Sequence, residues 1–198
     1  MECNTQRAVL FDMDGVLVDS YEAWFRLINT ASEELGYSPI TREQFKEIWG
    51  QGPDLDVELI FTRHTVEEVE GYYNQHFRDF REYVRANPSA KKVFQTLHDK
   101  RIGIGVITNT PSPIAREVLR YAELHPDVLV GGTDVPRGKP APDMVFKALG
   151  ALGVSNEHAL LVGDSHYDEE AASAAEVHFI QYDIKNDERL DAALGDLA

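Results

Sequence analysis

Residues 8–11 are four apolar side chains in a row, Ala8-Val9-Leu10-Phe11, cut off by Asp12-Met13-Asp14-Gly15. A short run that is apolar at every position and stops at polar residues predicts a parallel strand buried on both faces, with its polar tip at the carboxyl end. Four more runs repeat the pattern. Residues 102–107 end in Thr108-Asn109, 128–130 in Gly131-Gly132, 159–162 in Gly163-Asp164-Ser165, and 178–180 near Asp183. Between them the apolar residues take helical spacing, in 114–121 (Val118, Leu119), in 143–149 (Val145, Phe146, Leu149) and in the alanine-rich 169–175. Alternating strands and helices predict a doubly wound, Rossmann-like α/β core with a parallel sheet. Such sheets bind ligands beyond the carboxyl ends of their strands, which makes the polar tips the candidate site.

Residues 19–87 read differently, with no strand-like run and helical spacing throughout. Trp24, Leu27, Ile28, Ala31 and Leu35 form one stripe, and Gly36 follows where a helix end favours a left-handed residue. Thr41 with Gln44, and Thr65 with Glu68, fit the capping box that opens a helix. Gly50-Gln51-Gly52-Pro53 marks a turn between two helices. Val66, Val69, Tyr72, Tyr73, His76, Phe77 and Phe80 fall on or near one face, where bundle core is the simpler reading and ligand stacking the rarer one. The expected organisation is an α/β core of residues 1–18 and 88–198, re-entered at the helix carrying Val93, Phe94 and Leu97. A helical cap of residues 19–87 is inserted in it, with hinges at the two crossings.

Charge and cysteine content narrow the class. Lys+Arg number 19 against Asp+Glu 34, a net charge of −15. That excess, with no basic run, argues against a nucleic-acid partner, whose phosphates require clustered cations. Hydrophobic residues at 43% supply a core that a disordered chain would lack. The single cysteine, Cys3, has no partner in the chain, which points to a reducing compartment. Residues 1–7 lack a signal-peptide pattern, and no apolar run approaches the roughly 18 residues of a membrane span. The expected location is the cytoplasm.

Asp12 and Asp14, one residue apart, repel each other where the strand becomes a loop. A hard divalent cation with oxygen ligands, Mg2+ foremost, relieves that repulsion and recruits another carboxylate such as Asp164 from a neighbouring strand tip. Asp168, a turn further on, would orient that shell. Any one of these aspartates alone reads more simply as a helix N-cap; four at strand tips do not. Gly15 and Gly138 let the backbone approach a ligand closely, and Thr108 and Asn109 suit phosphate oxygens. Lys139 lies in Gly138-Lys139-Pro140-Ala141-Pro142-Asp143, a loop stiffer than a merely solvated lysine needs.

Taken in order, these segments resemble the four motifs of the haloacid dehalogenase-like hydrolase superfamily. Asp12-Met13-Asp14-Gly15-Val16-Leu17-Val18-Asp19-Ser20 matches the first, Thr108-Asn109 the second, Lys139 in its Gly-Lys-Pro-Ala-Pro-Asp loop the third, and Gly163-Asp164-Ser165-His166-Tyr167-Asp168 the fourth. The resemblance spans nearly the whole chain, and it is to the phosphoglycolate phosphatase and beta-phosphoglucomutase subgroup, whose helical cap follows the first motif. It implies a Mg2+-dependent phosphatase. Asp12 would be the nucleophile that forms an aspartyl-phosphate. Asp14 would act as acid and then base, with its backbone carbonyl on the metal. Asp12 and Asp164 would bind Mg2+ through carboxylates, while Thr108, the Asn109 amide and Lys139 hold the phosphoryl oxygens. Asp168 would stand behind them, and the cap would close over the site. The implied partner is a small phosphorylated metabolite, with no nucleic acid and no membrane; the pattern leaves the oligomeric state open and is compatible with a monomer.

Departures from the pattern sort the relatives. Asp14 speaks against the dehalogenases, which lack an acid there and need no metal. Trp24 stands five positions after Asp19, where related sugar phosphomutases usually carry histidine. That favours hydrolysis and leaves the mutase as the alternative; a non-catalytic binding protein on the same fold is a third reading. Lys46, the only lysine in 19–87, lies in an amphipathic helix, unlike the Schiff-base lysine of phosphonate-cleaving relatives. Glu176 replaces a frequent family glycine. His166 and Tyr167 occupy variable positions, His166 expected outside catalysis, and Trp49, Gln51, Asp54 and Arg63 lie in or near turns able to face the core.

Overall fold

The computed structural model describes residues 7–186 and 189–195, so Cys3 lies outside the described residues. β1 (Ala8–Phe11) runs into a buried turn and then β2 (Val18–Asp19). The helices α1 (Tyr21–Glu34), α2 (Arg42–Ile48), α3 (Pro53–Leu59) and α4 (Val66–His76) follow, with a 3-10 helix (Phe77–Tyr83) leading to β3 (Arg85–Ala86). The chain continues through α5 (Ala90–Asp99), β4 (Gly103–Thr108), α6 (Ser112–Tyr121), β5 (Val128–Gly131), α7 (Asp143–Leu152), β6 (Ala159–Gly163), α8 (His166–Ala174), β7 (His178–Gln181) and α9 (Leu190–Leu194).

All five apolar runs form strands of one parallel sheet, in the order β5-β4-β1-β6-β7. β1 is central because both of its faces are apolar. Val9 and Phe11 face a cluster with Val106, Val162 and the buried side of α5 and α6. Ala8 and Leu10 face the opposite cluster, with Leu161, Met144 and Val145 of α7, and Ala171 of α8. The period-two alternation of one strand thus feeds two cores, and burying each large side chain there stabilises the fold by roughly 1.5–3 kcal/mol. The tip of β1 is consequently anchored on both sides. It lies at the point where the chain order reverses, with β4 on one flank and β6 on the other, the customary ligand crevice of such sheets.

Local signals in the helical segment act as read. Thr41 and Thr65 each close a reciprocal capping box with Gln44 and Glu68, and Gly36 takes a left-handed φ of +76° after α1. The 19–87 reading needs correction in one respect. β2 and β3 pair antiparallel, Val18 with Ala86 and Asp19 with Arg85, at the two crossings of the chain. Each strand is two residues long, too short for any period to register. Asn87 fastens the return, donating from its side chain to Val16 O at 2.9 Å and from its backbone to Leu17 O at 2.9 Å. Of the apolar positions read as helix faces, Phe146, 52% exposed, turns outward one residue round the helix from buried Val145, and so does Val66 in the first turn of α4. Among the described residues no helix is long and apolar enough to cross a membrane.

Candidate active site

Asp12 is the first residue beyond β1, and its N–H still bonds to Val162 O of β6 at 2.8 Å. Its buried carboxylate accepts from Lys139 Nζ at 2.7 Å, and the same ammonium donates to Asp168 Oδ1 at 2.6 Å. Burial and the nearby Asp168 push the Asp12 carboxyl well above its ordinary range, against the pull of Lys139. Burial alone would lower Lys139, but Asp12 and Asp168 outweigh it and hold the ammonium charged. Asp168 also caps its own helix, accepting from Ser165 N at 3.1 Å through Oδ2. Asp168 thus ties the start of α8 to the lysine that holds Asp12.

Asp12, Asp164 and Asp168 each offer an oxygen within 4.8 Å of the others. Asp164 Oδ1 is buried without a hydrogen-bond partner among the described residues, while Oδ2 accepts from Trp49 Nε1 at 3.1 Å. Burial, then repulsion from Asp168, raises the Asp164 carboxyl to about 7. Crowded hard oxygens, one with no partner, form a donor set that fits a divalent cation such as Mg2+. Gly15 makes the crowding possible: its φ is +92°, and a Cβ there would stand 2.1 Å from Asp164 Oδ2.

The Asp14 carboxylate lies apart from this cluster, so only its backbone is left for the metal role suggested by the motif. Three hydroxyls hold it: Ser20 Oγ, Thr108 Oγ1 at 3.1 Å and Thr110 Oγ1 at 2.8 Å. The Asn109 side chain serves the scaffold. Its Oδ1 accepts from Lys139 N at 2.8 Å, and its Nδ2 donates to Lys139 O at 3.0 Å and to Gly50 O at 2.9 Å. The amide thus clamps the lysine loop and reaches the α2–α3 turn.

Asp12, Asp14, Thr108, Asn109, Thr110 and Lys139 line one cleft of about 510 Å³ of atom-free space, part of it open to solvent, whose far wall comes from the helical segment. That wall includes Trp24, Phe45, Trp49, Asp56 and Tyr73. Of the turn residues considered from sequence, Trp49 and Gln51 reach across, Gln51 bonding to Tyr167 Oη. Arg63 instead packs on Tyr37 and bonds to Gly36 O, and Asp54 is exposed. His166 is exposed beside Tyr167. The sequence reading missed Thr110, although its spacing from Thr108 places both hydroxyls on one side of an extended chain. It also missed the buried pair of Tyr73 Oη and Asp56 Oδ2, 2.7 Å apart; residues 17 apart on separate helices leave no local signal.

Residues 9–182 match the family model described as haloacid dehalogenase-like hydrolase. The chain belongs to that family. This haloacid dehalogenase-like hydrolase is 31% identical over 180 residues to a phosphorylated carbohydrates phosphatase of Thermotoga maritima, covering 87% of this chain and 83% of the relative. It is 32% identical over 180 residues to the phosphoglycolate phosphatase of Yersinia pseudotuberculosis, covering 85% and 77%. Its fold matches CbbY from Rhodobacter sphaeroides, solved in complex with phosphate, with a TM-score of 0.79 and 25% identity over 90% of this chain and 87% of that one. The hydrolase is a phosphatase of the phosphoglycolate phosphatase and beta-phosphoglucomutase group.

Proposed function

We propose that this enzyme hydrolyses a small phosphomonoester through an aspartyl-phosphate on Asp12, with Asp14 as proton donor and acceptor and with Mg2+ as cofactor. One observation carries the reading: the buried Asp12 carboxylate is oriented by Lys139 at 2.7 Å beside the open-valenced Asp164 and faces a cavity that Asp14 also lines. Asp12, Asp164 and the Asp14 backbone carbonyl would hold Mg2+, with Asp168 fixing Lys139 beside them. When bound, the cation would neutralise the converging carboxylates and draw charge off the phosphoryl oxygens.

An Asp12 oxygen forms the bond to phosphorus as the ester P–O bond breaks, and Asp14 gives its proton to the leaving oxygen. Water then attacks the aspartyl-phosphate and yields its proton to Asp14. Phosphate departs and the Asp12 carboxylate is restored. Asp14 is positioned for this exchange by hydroxyls that rotate easily, those of Ser20, Thr108 and Thr110. Lys139, Thr108 and the Asn109 backbone N–H receive the charge of the transferring group. Trp24 supports hydrolysis over phosphoryl transfer between sugars: it is packed against Tyr73 and Phe77, ring centroids 5.4 and 4.9 Å away, and offers no titratable group.

The test is phosphate release with Mg2+ from a panel of phosphomonoesters that includes para-nitrophenyl phosphate, with Asp12→Asn as control. Release by the wild type alone supports the reading. Silence across the panel overturns it, and faster transfer from a sugar bisphosphate to a sugar monophosphate than release to water would replace it with the mutase.

A further inference from the structure

The leaving group is constrained by the wall opposite Asp12. Apolar side chains close that end of the cavity, among them Trp24, Ile28, Phe45 and Pro53. Into it α3 and α4 bring a single polar pair, Asp56 and Tyr73, both buried and both lining the cavity. The reaction proposed above uses neither. Burying a carboxyl in an apolar wall is costly, and here it pushes Asp56 up to about 7 even though Tyr73 donates to it. Among the described residues Asp56 takes its side-chain hydrogen bond on Oδ2, from Tyr73 at 2.7 Å, which leaves Oδ1 for a ligand.

The charges of the cavity sharpen this. Among the described residues the only lysine or arginine lining it is Lys139, whose ammonium already holds Asp12 and Asp168. Lys185 is exposed, over the Tyr21 ring, and does not line the cavity. A carboxylate or second phosphate on the leaving group would be buried near Asp56 with no cation to meet it. A hydroxyl group meets an oxygen that can accept its hydrogen bond, and the C–H face of a polyol or sugar ring finds aromatic side chains to lie against.

We propose that Asp56 is a specificity-determining residue, which binds a hydroxyl of an uncharged polyol or sugar leaving group and rejects esters whose leaving group carries a second acid. The inference rests on the hydrolytic reading above. It is tested by steady-state kinetics at pH 8 with Mg2+ on glycerol 3-phosphate, ribose 5-phosphate, glucose 6-phosphate, phosphoglycolate and para-nitrophenyl phosphate. The best polyol or sugar ester should exceed phosphoglycolate at least tenfold in kcat/KM. Asp56→Asn, which keeps an acceptor for Tyr73, should raise kcat/KM for phosphoglycolate at least tenfold, a gain that no folding defect can produce. Asp56→Leu should raise KM for the preferred ester by a similar factor. Wild-type turnover of para-nitrophenyl phosphate with phosphoglycolate matching the polyol esters, or with none of them turned over, would overturn this inference alone; so would an unchanged substrate ratio in Asp56→Asn. Release from no ester at all, para-nitrophenyl phosphate included, would overturn the hydrolytic reading and this one with it.

Discussion

Asp12 occupies a position that disfavours its own charge, because burial and then the Asp168 carboxylate push its pKa up. On the proposed mechanism Asp12→Asn removes the nucleophile, so turnover should fall by more than about 10³-fold. The same substitution removes a repelled carboxyl and leaves Lys139 paired with Asp168, so the melting temperature measured without Mg2+ should hold or rise. A marked drop would make Asp12 a structural residue first. Asp56 gives a second, pH-resolved prediction. Its folded value of about 7 lies above the ordinary carboxylate value, near 3.9 in an unfolded chain. Between those limits the native state binds the extra proton, so stability falls as pH rises from about 4 to about 7. Asp56→Asn has no such proton to lose. The variant should therefore gain stability on the wild type as pH climbs, by an amount on the order of 2–4 kcal/mol at pH 8 and little at pH 4.5. Thermal melts at the two pH values decide it, and an equal difference at both would show that the carboxyl titrates at its ordinary value.

Helix ends show what the sequence displays and what it hides. α1 and α8 finish with the same pair of bonds, Gly36 N to Glu33 O with Tyr37 N to Ser32 O, and Glu176 N to Ser173 O with Val177 N to Ala172 O. Gly36 announces its turn; Glu176 adopts it at φ +55° with a side chain, as does Arg101 after α5. A non-glycine residue there costs roughly 1–2 kcal/mol, partly offset by the roughly 0.5–1 kcal/mol of extra freedom a glycine loses on folding. Arg101→Gly and Glu176→Gly should each stabilise by about 0.5–1 kcal/mol. The pair should add, readable as a melting temperature a few degrees higher; destabilisation by either would mean that its side chain supports the fold. The strand tips were legible for a related reason. Runs such as 8–11 and 159–162 stop abruptly, so Asp12 and Asp164 could be placed at carboxyl ends without coordinates. The β2–β3 pairing was not, because two residues carry no period, nor was the Asn109 clamp on the Lys139 backbone, which joins positions 30 apart through main-chain atoms that leave no trace in residue types.

The α2–α3 turn spans from the helical segment to the sheet tips by three bonds: Trp49 to Asp164, Gln51 to Tyr167, and Asn109 back to Gly50. The first ties an indole directly to a proposed metal ligand, which makes Mg2+ binding visible without any turnover. The other tryptophan, Trp24, also lines the cavity but packs on Tyr73 and Phe77, whereas Trp49 bonds to Asp164 itself, so the change of emission is assigned by substituting Trp49. Mg2+ titrated into the protein after EDTA treatment should give a saturable emission change and raise the melting temperature, since a ligand that binds only the native state stabilises it by mass action. With a net charge of −15, loose accumulation of divalent ions over the acidic surface is the competing cause. The two separate cleanly. Diffuse accumulation is suppressed by moderate NaCl and survives Asp164→Asn, whereas binding at the carboxylate cluster persists in salt and is lost with Asp164. Trp49→Phe should abolish the emission change while leaving the Mg2+-dependent rise in melting temperature. An emission change that outlasts Asp164→Asn would detach the cation from Asp164 and leave its partnerless Oδ1 to be explained by another ligand.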